Sequence, residues 1–413
     1  MRYLPLSQLL GSMLAFPSYR AMFRETFNNR RTTESLTDIF DGFAFEDQER
    51  YFNDEFSVGL ALFCDSFAPF DAGRNSVSMQ LIHLVVMNLP KDERYKNKNM
   101  LQVPIALGPL KPKNIHSFLS PLMEELDQLS KDGMVLRVDD EPDDIMIHAH
   151  LLLASGDLPG VSDLVHHTGH TSHYGCRTCR IESFSLISPK GGGQGQYFPG
   201  TEEVVTERND DDFFGRLPNY GILASNPFVH LVTYHSPFFY GQHANANTPF
   251  TLERHQQIRI GKVLKESHLL MPIGLDGDIG DIFARSKSSR AVDFIDFLVF
   301  VLPTVVYEQL EQNGCPVLEP LMSLVNGCSL ALQWEITYNP EPPEREGDSQ
   351  QPSDLDRLRR YLKEWHTFMY NDMPHNLYII NIHMLTHLAD AIGVLGIPRA
   401  ISTRSIERAI AMI

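Results

Sequence analysis

The chain is poor in cysteine, poor in positive charge and without long apolar runs. Five cysteines in 413 residues are too few for a disulfide framework. The start, Met1-Arg2-Tyr3-Leu4-Pro5-Leu6, lacks the apolar stretch of a secretory leader. Together these point to a reducing compartment. No stretch approaches the ~18 apolar residues of a membrane span, so no membrane partner is expected. Lys and Arg number 35 against 52 Asp and Glu, for a net charge of −17. That excludes a protein whose whole surface binds nucleic acid. It leaves room for a local basic groove, with clusters at Lys91 to Lys98, Lys111 and Lys113, Arg285 to Arg290, and Arg357 to Lys363. Taken alone, each cluster reads as solvated surface charge.

What is present is a soluble-type composition, 43% hydrophobic and 21% charged, in a chain long enough to bury a large core. Cys64, Cys315 and Cys328 sit in apolar surroundings and read as buried, inert thiols. Residues 1–55 are mixed in pattern and read as a flanking segment. Phe56 to Cys64 is a short apolar run, read as a buried strand ending at Asp65. Strands are expected over Ser76 to Leu89, Leu101 to Leu107 and Ile145 to Ala154. Between the last two, Ile115 to Leu129 carries apolar residues at helical spacing and stops at Gly133. Leu158-Pro159 opens another helix, proline standing where its missing N–H costs nothing. The order strand, strand, strand, helix, strand, helix suits a mixed α/β sheet.

Residues 190–220, rich in Gly, Asp and Asn, read as loop. From about 255 to 335 the pattern is helical, and Phe294 to Leu310 reads as core. Asn339 to Asp354 reads as a polar linker. Helices are expected over Leu355 to Met369 and His375 to Val394. The expected division is 1–55 flanking, 56–190 the first part of a catalytic core, 191–370 a loop and helical insertion, and 371–413 the return to the core.

Two half-sites carry chemistry. Cys176-x-x-Cys179 follows Asp157 by about twenty residues, and His383-x-x-x-His387 precedes Glu407 by twenty. Two thiols and two imidazoles complete a tetrahedral zinc set. Histidines four apart share one helix face, a spacing that suits bidentate metal capture. The plain alternative is a pair of core histidines. A redox reading of the cysteines lacks its usual context. A local set of His170, His173, Cys176 and Cys179 leaves little chain to wrap a tetrahedron. Asp65, Asp157 and Glu407 are oxygen donors of the kind that Mg²⁺ or Mn²⁺ takes, and a two-ion site needs about three such carboxylates. Singly, each has an ordinary reading: a turn residue for Asp65, a helix cap for Asp157, a solvated charge for Glu407. Asp71 competes with Asp65 for the first position.

Several segments together resemble the transposase domain of CACTA-type DNA transposons, particularly fungal copies. They are Cys64-Asp65-Ser66-Phe67-Ala68-Pro69-Phe70, Met87-Asn88-Leu89-Pro90, Leu107-Gly108-Pro109-Leu110-Lys111-Pro112-Lys113 and Ser155-Gly156-Asp157-Leu158-Pro159-Gly160. Further on come Gly175-Cys176-Arg177-Thr178-Cys179, Arg290-Ala291-Val292-Asp293-Phe294, Asn381 to Leu388 and Ser405-Ile406-Glu407-Arg408. The resemblance implies a DDE transposase with a ribonuclease-H-like core interrupted by a helical insertion. By it, Asp65, Asp157 and Glu407 form the metal-binding triad for two Mg²⁺ or Mn²⁺ ions. Cys176, Cys179, His383 and His387 would share one structural Zn²⁺, as in the related catalytic core of the V(D)J recombinase. The implied activity is strand cleavage and transfer at the terminal inverted repeats of double-stranded DNA, in the nucleus, with a homo-oligomer left open. The chain ends at Ile413, six residues past Glu407, which leaves the expectation of a shortened or inactive copy. The alternative is a non-catalytic, zinc-stabilised DNA-binding protein that keeps the fold.

Overall fold

The computed structural model describes residues 2–30, 35–67, 78–108, 115–156, 158–165, 167–187, 194–198, 221–222, 252, 254–267, 291–312, 315–339, 351–373 and 377–401. It divides into two compact units. The first comprises Met1–His170, Arg208–Ser225 and Ala391–Ile413; the second comprises Thr171–Glu207 and Asn226–Asp390.

The first unit is built on a mixed sheet. Its strands are β1 (Arg2–Tyr3), β3 (Ser57–Phe67), β4 (Ser78–Val86), β5 (Met100–Gly108), β6 (Met134–Leu136), β7 (Ile145–Gly156) and β10 (Gly221–Ile222); β2 is the short Ser35–Leu36. The order is β1-β5-β4-β3-β7-β10, with β6 paired to β7. β3, β4 and β5 form an antiparallel meander. β7 then returns parallel to β3, a connection that needs a crossover. Helix α4 (His116–Lys131) lies on that crossover, after the short α3 (Phe43–Glu46) that precedes β3, and α5 (Leu158–Leu164) follows β7. The expected mixed α/β class is therefore what the chain forms.

Both faces of the sheet are buried, which is why Phe56 to Cys64 reads as a continuous apolar run rather than an alternating one. Leu60, Leu62 and Cys64 face one cluster with Ile82, Leu84 and Val86. Helices α1 (Leu6–Leu14) and α2 (Pro17–Asn28) cover it with Leu6, Leu10, Leu14 and Phe23, and α4 adds Leu119, Leu122, Leu126 and Leu129. Ala61, Phe63, Leu81, Val85 and Leu153 face the other way, joined by Ile39, Leu395, Ala391 and Ile401. Each fully buried Leu contributes roughly 1.5–3 kcal/mol of transfer free energy, so the two faces together hold the sheet. Gly133 has φ +69°, the left-handed residue that ends α4 where the sequence places its stop.

Outside the sheet, an ion pair fixes the approach to the second face. Arg94 is 1% exposed and grips Asp38 with two hydrogen bonds of 2.7 Å. It also donates to the Leu89 carbonyl at 3.0 Å. Burial opposes its charge, but Asp38 raises its pKa. In the first face Glu125 does similar work, accepting from the Leu6 and Ser7 amides at 2.8 Å each and so capping α1 from another helix.

The second unit contains the hairpin β8 (Phe184–Ile187) and β9 (Gln194–Tyr197), then helix α6 (Arg254–Ser267). A helical run follows, α7 (Ala291–Asp296), a π-helical stretch Phe297–Val306 and α8 (Tyr307–Gln312). Helices α9 (Leu318–Ala331), α10 (Asp354–Asp372) and α11 (Ile380–Met384) complete it. α10 opens on a reciprocal cap between Ser353 and Asp356 and packs Leu355, Leu358, Leu362, Trp365 and Met369 inward at helical spacing. Ser323 of α9 donates to Glu364 of α10 at 2.6 Å.

Three local expectations are corrected. β3 does not stop at Asp65 but continues to Phe67, because β4 offers it paired backbone through Met79. Residues 194–197, read as loop, are strand β9. Its polar residues carry no hydrophobic period, and Ser183–Gln196 and Gln196–Ser185 hydrogen bonds of 2.5 and 2.9 Å hold it instead. The helix expected from His375 to Val394 is not continuous. It starts at Ile380, tightens to a 3₁₀ turn at Leu385–His387, and resumes as α12 (Leu388–Leu395). Thr386 Oγ1 donates to the His383 carbonyl at 2.6 Å in that tightened turn. Among the described residues, no helix is long and apolar enough to cross a membrane.

Candidate functional site

Two pairs of residues more than 200 positions apart in sequence meet inside the second unit. Cys176 and Cys179 lie on the loop leading into β8, each 1% exposed. The Thr178 amide donates to Cys176 Sγ at 3.4 Å, which turns the loop around the sulfur. The Ser183 amide donates to the His173 carbonyl at 2.8 Å and closes the loop from behind. On the other side, His383 lies on α11 and His387 ends the 3₁₀ turn. The Phe198 amide donates to the Tyr378 carbonyl at 2.5 Å, and the Tyr378 hydroxyl donates to the Met369 carbonyl. The hairpin end is thus tied to the chain just before α11. The Phe198 ring lies 6.3 Å from the His383 ring.

The four ligand atoms lie within 4.8 Å of one another. Cys179 Sγ is 3.2 Å from His383 Nε2, and Cys176 Sγ is 3.6 Å from His387 Nε2. The two Nε2 atoms are 3.2 Å apart. A tetrahedral zinc with bonds of about 2.3 Å to sulfur and about 2.0 Å to nitrogen has S···N edges of about 3.5 Å and an N···N edge of about 3.3 Å. The cluster fits a zinc ion of that size. The Cys176 thiol is pushed far below its usual range, first by its hydrogen bond with Cys179, against the opposing effect of burial, and further by His383 and His387. A thiolate is the form that binds metal. His383 turns Nε2 to the cluster, and its buried Nδ1 has no hydrogen-bond partner among the described residues.

The competing local set does not assemble. His173 is an exposed residue, 3.9 Å from Glu182 and stacked edge-on against Tyr174. Among the described residues, the Cys176, Cys179, His383, His387 group is the only one of three or more His, Cys, Asp or Glu close enough to share an ion.

The carboxylates are described unequally. Asp65 lies on β3 with its backbone opposite Leu81 of β4, and its side chain lies outside the described residues. Asp157, Glu407 and Asp71 lie outside the described residues altogether. Their chain neighbours do not. The parallel ladder between β3 and β7 pairs Phe63 with Ser155 and Cys64 with Gly156, so the residues that follow its last rung are Asp65 and Asp157. At that rung the backbones are close: a Cβ on Gly156 would stand 2.8 Å from the Cys64 carbonyl oxygen. Ile401, six residues before Glu407, packs with Phe63, Leu81 and Leu153 on the second face of the sheet.

One residue was missed in the sequence. His83 of β4 lies opposite Phe63. It is 5% exposed, and among the described residues neither ring nitrogen has a hydrogen-bond partner. Burial lowers its pKa, which favours the uncharged ring. The signal was there: a single histidine in an otherwise apolar strand, Leu81-Ile82-His83-Leu84-Val85. The basic clusters prove ordinary where they are described. Lys96 and Lys98 pair with Glu93, and Arg357 and Arg360 with Asp354 and Glu364.

Residues 40–196, less than half of the chain, match the model of the transposase family tnp2. The stretch runs from just before β3 to β9 and takes in Asp65, Asp157, Cys176 and Cys179. It ends well short of His383, His387 and Glu407. No curated protein matches the chain.

Proposed function

We propose that this chain is the catalytic part of a DDE-type DNA transposase, of the CACTA kind, built on a ribonuclease-H-like core. Asp65, Asp157 and Glu407 would hold two Mg²⁺ or Mn²⁺ ions, and Cys176, Cys179, His383 and His387 one structural Zn²⁺. The observation that carries the reading is the end of the β3–β7 ladder. Two aspartates follow the same rung of two adjacent parallel strands, inside the stretch that is similar to a transposase domain. Strand ends of one sheet are where acidic ligands from distant parts of a chain can gather. Support for the third member comes from Ile401 on the same sheet face as Phe63. Six residues reach at most about 20 Å from there. A mixed sheet whose chain is interrupted by a mostly helical unit supports the ribonuclease-H-like reading.

The chemistry assigned to the carboxylates follows from charge. Three acids gathered in one place repel one another until divalent cations neutralise them. The bound ions would supply activation of a water or 3′-hydroxyl and neutralisation of charge on the scissile phosphate. The acids themselves fix where that charge is placed. The partner would be double-stranded DNA carrying terminal inverted repeats, in the nucleus. The zinc cluster has no part in bond breaking. It would hold the Cys176–Cys179 loop to the helical segment that runs on toward residues 391–401.

The test is cleavage of duplex DNA in Mg²⁺ or Mn²⁺. The wild-type chain is expected to nick it, and Asp157→Ala to lose nicking while retaining zinc and the fold. Binding without cleavage in wild type would favour the zinc-stabilised, non-catalytic alternative. Absence of both divalent-ion and DNA binding would overturn the reading.

A further inference from the structure

Two basic helices of the second unit differ in how their charge is used. On α10, Arg357, Arg359 and Arg360 each have a carboxylate within 4 Å: Asp354, Asp356 or Asp390, and Glu364. Cations and anions balance along that helix. On α6 they do not. Arg254–Ser267 contains four Lys or Arg and one acid, Glu266. In a chain where acids outnumber bases 52 to 35, that is a local reversal of sign.

Three of these four bases, Arg259, Lys262 and Lys265, are exposed. Ile260 and Leu264 are buried, with Gln256 a turn before them, and so define the inward stripe. The outward stripe is His255, Ile258, Arg259, Lys262, Lys265 and Glu266. Lys262 is 73% exposed and lies 3.8 Å from Glu266, a loose surface pair. Arg259 and Lys265 form no ion pair among the described residues. Arg259, Lys262 and Lys265 rise at intervals of about 4.5 Å along the helix axis. The three charges thus span about 9 Å of helix, short enough to face consecutive phosphates of a backbone that carries a charge every ~3.4 Å per strand. Ile258, 61% exposed, adds an apolar contact on the same side.

We propose that the outward face of α6 binds the phosphate backbone of duplex DNA, through Arg259, Lys262 and Lys265. The proposal rests on the reading of this chain as a DNA transposase and names a surface that reading leaves open. The contact is to backbone rather than bases, so it positions DNA without reading sequence. It also answers how a chain of net charge −17 holds a polyanion: the favourable field is local and short-ranged.

The experiment is fluorescence anisotropy of a labelled duplex against the full chain in Mg²⁺, from about 50 to 200 mM salt. The triple variant Arg259→Glu, Lys262→Glu, Lys265→Glu is compared with the control Arg357→Glu, Arg360→Glu on α10. Because all five side chains are outward-facing, circular dichroism and zinc content should stay as in wild type. The triple variant is expected to bind at least about tenfold more weakly at 50 mM salt, with a log–log salt slope shallower by about 2–3. The neutral triple Arg259→Gln, Lys262→Gln, Lys265→Gln is expected to fall between. The control is expected to bind within about twofold of wild type. Equal binding by wild type and the triple variant overturns the proposal while leaving the transposase reading intact. So does an equal loss in the control, which would mean that only overall charge matters. Wild type that binds DNA through α6 yet never nicks it retains the surface and removes the catalytic reading. Wild type that prefers anionic vesicles or an acidic polypeptide to duplex DNA overturns the surface assignment.

Discussion

The two units reach order by different means. The first is held by a sheet buried on both faces, at whose centre lies a meander of three strands consecutive in sequence. The second gathers its tightest polar site from residues 204 and 211 positions apart. Closing a loop of that length costs entropy that grows slowly with length but is never small. Apolar burial can offset such a cost gradually, over many contacts. A four-ligand cluster that held the proposed zinc would offset it in one step. The comparison teaches that removal of metal and removal of methylenes should strike different halves of the molecule.

The largest effect expected is that of zinc. Chelation, or Cys179→Ser, should remove one equivalent of zinc per chain and on the order of 10 kcal/mol of apparent stability from the second unit. Hydrogen exchange should accelerate across α9 and α10 and stay slow across β3, β4 and β7. Equal acceleration of the sheet would erase the distinction between the units. Next comes the buried pair. Asp38→Ala strands the Arg94 guanidinium in a site where it is 1% exposed. It should cost the first unit about 3–5 kcal/mol in denaturant unfolding without loss of zinc. Glu125→Ala leaves the Leu6 and Ser7 amides of α1 without their cap. The expected loss is about 1–2 kcal/mol, again with zinc unchanged.

The smallest effect is a pH dependence. Burial pushes the His150 pKa down to about 4, with a contribution from His148, and burial lowers that of His83. The folded state therefore refuses protons that the unfolded chain takes up near pH 6.5. Stability of the first unit should be full above about pH 6.5 and fall as pH drops from there toward 4. Since His150 is only partly buried, its share between pH 7 and 5 should be on the order of 1 kcal/mol. His150→Phe, placed against Tyr51 and Phe52, should flatten the slope, measured by urea unfolding at the two pH values. An unchanged slope would shift the acid sensitivity to the zinc ligands and the second unit.

Much of the sheet was legible because burial on both faces leaves a simple mark. Phe56 to Cys64 is apolar but for Ser57, Ile145 to Ala154 is broken only by His148 and His150, and glycine stops the intervening helix at Gly133. The meeting of Cys176, Cys179, His383 and His387 was legible from ligand chemistry: two thiols and two imidazoles at capture spacing identify one another across any distance. What escaped lacks such a mark. β9 is Gln-Gly-Gln-Tyr and is held by side-chain hydrogen bonds that no hydrophobic period announces. The break at Leu385 depends on a turn tightening around His383, a tertiary effect. The cap that Glu125 supplies to α1 comes from 119 residues away, beyond any local capping pattern. The balance of charge on α10 could be counted in sequence, but which face of α6 is outward could be decided only once Ile260 and Leu264 were seen to be buried.

The division of labour between the units meets its most direct test in metal stoichiometry. Zinc-loaded wild type and Asp157→Asn are titrated with Mn²⁺ by calorimetry, and zinc is counted in both. The account predicts one zinc per chain in each protein, Mn²⁺ binding in wild type, and its loss in Asp157→Asn. Mn²⁺ binding that survives Asp157→Asn unchanged, or zinc that leaves with the aspartate, would contradict it.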